Sequence, residues 1–135
     1  MTALRTLGFA AGLRLTRLSL RTVGFRRTVA LLNGLPSLPQ LGPASGGDAA
    51  RWADTINRVS GRPYGGTCLD RSVFLWFLMR RRNIDGRLRI GVAYDGKRLD
   101  GHAWVELDDR VVNDDPDVAE HFTVFDKDPT GLVFS

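Results

Sequence analysis

A chain of 135 residues with one cysteine, Cys68, and two histidines, His102 and His121, has few places for nucleophilic chemistry. The cysteine stands in "YGGTCLDRS" (64–72), between a Gly-Gly pair and the apolar run "VFLWFLM" (73–79). The nucleophilic form is the thiolate, and a free thiol is mostly protonated at neutral pH. The first turn of a helix offers unpaired N–H groups and the positive end of the dipole, both of which favour the anion. Thr67 followed three residues later by Asp70 is a variant of the capping box, so Cys68 is expected at the first position of a helix. Gly65 and Gly66 let a substrate backbone approach closely, and with Tyr64 they are candidate substrate contacts. A lone cysteine is commonly a small buried hydrophobe, so the thiol needs a partner before it means anything.

"GHAWVEL" supplies one, placing His102 at the start of a strand, 34 residues beyond Cys68. An imidazole there can take or share the thiol proton and then return it to a departing amine. Trp104 lies on the same face by strand parity; it is a candidate substrate-side residue that shields an ion pair from water, or simply core. The base needs a group to orient it. "VVNDDPD" (111–117) offers Asn113, Asp114, Asp115 and Asp117. With a two-residue turn at Asp108-Asp109, Leu107 pairs with Arg110, and Asn113 and Asp115 share the face of His102. With a three-residue turn, Leu107 pairs with Val111 and Asp114 lies diagonally beside the histidine. Asp70 and Glu106 read as a cap and an arginine's partner, and His121 as structural or surface.

These groups need a scaffold. Residues 3–33 read as helical, broken near Gly24, with Phe9, Leu13, Leu20 and Val23 on one side and Arg14, Arg17 and Arg21 on another. "GLPSLPQLGPASGG" (34–47) is a linker or irregular loop. A short helix follows with Asp48 as N-cap and Gly61 at its end, burying Ala49, Trp52, Ile56 and Val59. The helix from Cys68 to about Arg82 is apolar on nearly all sides and belongs at the centre of the core. The period then changes, and strands are expected at 87–95, 102–107, 110–114 and 121–125, turning at Asp95-Gly96 and Asp108-Asp109. Helices first and antiparallel strands afterwards indicate an α+β domain with its central helix on a small sheet. The expected division is a basic helical segment and linker (1–47) before a core (48–135).

Bulk properties narrow the function. Residues 1–47 carry six arginines and no acid, whereas the other 88 carry 13 basic and 15 acidic side chains. The half that holds the chemistry is therefore not basic, and no nucleic-acid motif is present. A single thiol excludes an internal disulfide and fits a reducing, cytoplasmic setting. Arginines interrupt each apolar stretch near the N-terminus, which argues against a signal peptide, a membrane span or membrane association. Two histidines and one cysteine at wide spacing make no metal motif, and "GGTCLD" lacks the lysine of a phosphate-binding loop, so no metal or cofactor is expected.

Taken together, "YGGTCLDRSVFLWFLMRRRNIDGRLRIGV" and "GHAWVELDDRVVNDDPDV" resemble the transglutaminase-like peptidases that remove leader peptides in bacterial lasso-peptide biosynthesis. The resemblance rests on Cys68, Leu69, Arg71 and Ser72, on Arg80 to Arg82, on Ile90, Gly91 and Val92, and on His102 to Glu106. It covers roughly residues 50–125; Gly101 departs from the alanine often found before the histidine. It implies a transglutaminase-like (papain-like) α+β core, with Cys68 as nucleophile and His102 as base. The family's acid lies about a dozen residues past its histidine, which implies Asp114 and with it the three-residue turn. The implied reaction is hydrolysis of a lasso precursor at its leader–core junction, freeing the core amine for ring closure by a separate ATP-dependent cyclase. A small separate recognition protein is expected to hold the leader, with the basic N-terminal helices as a docking surface. The Cys68 N–H is one natural oxyanion donor, and Tyr64 or an N–H near Gly65 a second. The competing expectations are acyl transfer or amidase chemistry on the same fold, and a peptide-binding module without catalysis.

Overall fold

The computed structural model describes residues 3–35, 45–60, 67–94 and 96–124, with side chains from residue 7 onward. Its centre is a helix, α4 (Cys68–Arg81), that starts and ends for local reasons. Thr67 Oγ1 accepts the Asp70 N–H at 3.1 Å, and the Asp70 carboxylate accepts the Thr67 N–H at 3.0 Å, so the capping box read from the sequence is formed. Arg80 and Arg81 occupy the last turn, where cations suit the dipole, and Asn83 then turns out of the helix at φ 60. Between the ends, Val73, Leu75, Trp76 and Met79 are all but inaccessible.

Three helices surround α4. The N-terminal arm forms α1 (Ala3–Thr22) and α2 (Phe25–Asn33), broken as expected at Gly24, whose φ of 92 favours glycine. Leu13 of α1 and Val29 of α2 lie in the same apolar cluster as Ile56 and Trp76. The closest approach is at Gly12, where a methyl group would overlap the Phe74 ring. Arg17, part of the expected arginine stripe, turns inward and pairs with the buried Asp70 at 3.8 Å.

The third, α3 (Gly46–Val59), buries Ala49, Ile56 and Val59 as expected but starts earlier than the sequence implied. Its N-cap is Ser45, not Asp48. Gly46 and Gly47 take helical geometry, and Asp48 instead accepts the Ser45 N–H at 2.8 Å. That backbone N–H, with Arg51 alongside, holds the Asp48 carboxyl below its ordinary value. The helix ends at Val59; Gly61, most of the 34–47 loop and the turn residue Asp95 lie outside the described residues.

The chain then builds a four-stranded sheet in the order β3-β2-β1-β4, antiparallel throughout. Strands β1 (Arg87–Tyr94) and β2 (Leu99–Leu107) form a long hairpin in which Gly91 faces His102. Strand β3 (Arg110–Val111) is short, and β4 (Thr123–Val124) follows a 3-10 turn over Val118–His121. The strand expected at 102–107 starts earlier, at Leu99, the one expected at 110–114 is trimmed to two residues, and the one expected at 121–125 starts later, at Thr123.

The β2–β3 connection has two residues, with Leu107 opposite Arg110 and both Asp108 and Asp109 in the left-handed region at φ 52 and 62. That pair of angles is the hairpin geometry whose twist matches the strands. The three-residue turn is not formed.

Helix α4 and β2 run in the same direction. Ser72, near the start of the helix, reaches Ala103, while Met79, near its end, meets Val105 around Gly86. The earlier turns of α4 therefore lie toward Ala103 and the later ones toward Val105.

Candidate active site

His102 Nε2 and Asp114 Oδ2 are 2.5 Å apart, and each side chain is about 24% exposed. A carboxylate bound to Nε2 fixes the ring's orientation and leaves Nδ1 as the nitrogen able to exchange a proton with a thiol. The other acids differ. Asp115 is exposed and gives only its backbone N–H to Asp114 Oδ1 at 2.7 Å; Asp117 lies beside His121 at 3.3 Å.

Asp114 reaches the histidine despite the two-residue turn because the chain leaves the sheet after Val111. Val112 still donates to the Val105 carbonyl at 2.9 Å. Next in line, the Asn113 side chain takes the place of a backbone partner: its Oδ1 accepts the Val105 N–H at 2.9 Å. The Asn113 backbone is thereby set outside the ladder, strand parity no longer applies, and the following residue swings its carboxylate onto the imidazole.

The ring is held on its flat side as well. Phe122 stacks on His102 with centroids 4.9 Å apart and planes 11° from parallel, and Trp104 lies 6.0 Å from the imidazole. Trp104 is wholly buried, so in this conformation it offers a substrate no surface; its indole N–H donates to Glu106 Oε2 at 2.9 Å. Glu106 also pairs with Arg89 at 3.9 Å, the structural role the sequence gave it. Phe122 can come this close only because its neighbour across β1 is glycine. A Cβ on Gly91 would sit 2.8 Å from Phe122 Cβ and 3.3 Å from Trp104 Cη2. Neither the Phe122 stack nor its dependence on Gly91 was read from the sequence; a glycine placed opposite the histidine in the hairpin was the available sign.

Cys68 opens α4 and is half-buried. Ser72, one turn further along the same helical face, donates to the Ala103 carbonyl at 3.0 Å, and Ala103 is adjacent to His102. Ser72 thus ties α4, one turn beyond Cys68, to the β2 residue next to His102. Among the described residues, the hydrogen-bonded pair is His102 and Asp114; the thiol is not part of that bond. Tyr64, Gly65 and Gly66, the expected substrate contacts, lie outside the described residues.

A family model described as the transglutaminase-like superfamily matches residues 12–126. The chain belongs to that superfamily. The matched stretch runs from within α1 through β4 and includes Cys68, His102 and Asp114. No curated protein and no solved structure matches the chain. The superfamily's α+β core, helices packed on an antiparallel sheet, is the architecture described above.

Within this transglutaminase-like fold, no group of three or more His, Cys, Asp or Glu side chains among the described residues is placed to hold a metal ion. No described helix is long and apolar enough to cross a membrane.

Proposed function

We propose that this transglutaminase-like protein is a cysteine peptidase that removes the leader from a lasso-type precursor peptide. Cys68 acts as nucleophile, His102 as base and Asp114 as the group that orients the base. The observation carrying the proposal is the His102–Asp114 bond at 2.5 Å, on the strand that Ser72 of the thiol's helix reaches at Ala103. Two aromatic side chains against that ring support the same reading, because they limit its motion and its access to water.

The chemistry runs through two half-reactions. His102 Nδ1 takes the Cys68 proton, and the sulfur attacks the carbonyl carbon of the scissile bond. Charge gathers on the carbonyl oxygen, where the Cys68 N–H, unpaired within its helix's first turn, can stabilise it. The C–N bond breaks as His102 gives its proton to the departing amine, and the core peptide leaves with a free N-terminus. Water, deprotonated by the same imidazole, then cleaves the thioester and releases the leader as a carboxylate. Throughout, Asp114 supports the imidazolium without taking its proton. No step draws on a metal or cofactor.

The expected partners are a separate leader-recognition protein and the ATP-dependent cyclase that consumes the freed amine. The acid-free, arginine-bearing arm of residues 1–47, in which Arg17 is already paired with Asp70, supports docking of an acidic partner.

The test is cleavage of a lasso precursor, with and without a recognition protein, by wild type and by Cys68→Ala. Mass spectrometry is expected to find unmodified leader and core fragments from wild type and intact precursor from the variant. A leader joined to an added amine would instead mark acyl transfer. Equal cleavage by Cys68→Ala would end the proposal.

A further inference from the structure

We infer that Ser72 and Asn113 are positioning residues that set the thiol against the imidazole, through a single chain of hydrogen bonds joining α4, β2 and the aspartate loop. The inference rests on the thiol–imidazole reading above and deepens it.

Asn113 Nδ2 donates to Ser72 Oγ at 3.0 Å, and Ser72 Oγ donates to the Ala103 carbonyl at 3.0 Å. The direction of each bond is forced. Asn113 Oδ1 must face the Val105 N–H, which only an acceptor can satisfy, so the amide nitrogen is the end turned toward Ser72. The serine hydroxyl then accepts from Asn113 and has one hydrogen to give, and it goes to Ala103. Ser72 is fully buried, so water cannot replace either partner.

The three anchor points explain why this matters to the chemistry. Ala103 follows His102, Asn113 precedes Asp114, and Ser72 stands one turn from Cys68 on the same face of α4. Apolar packing alone would hold the helix against the sheet yet allow it to slide; directed bonds between buried groups select one register. Neither residue touches a reacting atom.

The experiment follows alkylation of Cys68 by iodoacetamide against pH, in the full chain, for wild type, His102→Ala, Ser72→Ala and Asn113→Asp. Asn113→Asp preserves shape and the acceptor for Val105 but removes the donor to Ser72. Asp114, Asp70 and Arg17 are kept in both relay variants, Ser72→Ala and Asn113→Asp; the second adds a carboxylate beside Asp114, and Ser72→Ala, which adds none, separates that effect. Val73→Ala, a buried α4 change without a polar contact, controls for lost stability, and circular dichroism fixes a temperature at which each variant is folded.

Both relay variants are expected to alkylate about tenfold more slowly near neutral pH, consistent with displacement of a reacting pair. Their profiles should move toward that of His102→Ala, while Val73→Ala keeps the wild-type profile. Relay variants that superimpose on wild type while His102→Ala differs overturn this inference alone. A Val73→Ala profile shifted as far as theirs also overturns it, by assigning the effect to stability. Identical profiles for wild type and His102→Ala overturn the thiol–imidazole reading and this inference with it.

Discussion

The chain holds two histidines, each beside an aspartate, and only one pair is built. His121 bonds Asp117 at 3.3 Å from four residues away, with 64% and 56% of the side chains exposed. His102 bonds Asp114 at 2.5 Å across twelve residues, with each side chain about 24% exposed and a phenyl ring stacked on the imidazole. The first contact forms because neighbours on a 3-10 turn meet whether or not anything depends on it; exposed pairs of this kind contribute about 0–1 kcal/mol. The second needs β2, the Asn113 detour and the glycine opposite to be in place together. Chemistry is expected where several separate elements must cooperate to make one contact.

The sharpest test of the contrast exchanges each ring for a methyl group. His102→Ala is expected to lower precursor cleavage by about 10³-fold or more, while His121→Ala stays within about twofold of wild type. Initial rates measured by mass spectrometry decide it, and comparable losses in the two variants would erase the distinction.

Replacing the acids should give the same contrast at smaller amplitude. Asp114→Asn is expected to cost about 10²-fold or more in kcat, because the amide can hold the ring but not support its charge. Asp117→Asn should leave kcat and KM unchanged.

Gly91→Ala probes the support behind His102 without altering a polar group. The added methyl must displace Phe122 or Trp104, so a stability loss of about 1–3 kcal/mol is expected in urea unfolding, together with reduced cleavage. Full activity with unchanged stability would mean that the stack is incidental. Phe122→Leu, the mildest change, keeps apolar bulk but not the flat contact. It is expected to cost about 0.5–1.5 kcal/mol of stability with a small fall in kcat.

The features legible in the sequence were those set by near neighbours. Thr67 and Asp70 announced the start of α4, Gly24 the break between α1 and α2, and Asp108-Asp109 the turn, because each depends on bonds spanning a few residues. The strand carrying His102 was legible from its alternation, as was the fold class. What could not be read was decided at long range. Turn length is not legible because strand parity gives Asp114 the face of His102 only with a three-residue turn; Asn113 instead fills a ladder site with its side chain, which no periodicity reveals. The start of α3 was misplaced because Asp48 suits both the cap and the third position, and the glycines ahead of it conceal which applies. Phe122 was read only as part of a strand, since its contact with His102 depends on a missing side chain 31 residues away in β1.

The seat that Gly12 gives to the Phe74 ring has a mechanical consequence. Two helices meeting so closely, with Arg17 reaching across to Asp70 in the first turn of α4, cannot rock separately. Whatever leans on the arginine-bearing arm therefore presses on the turn that carries the sulfur, and a protein engaged there would have a lever on that turn without touching it.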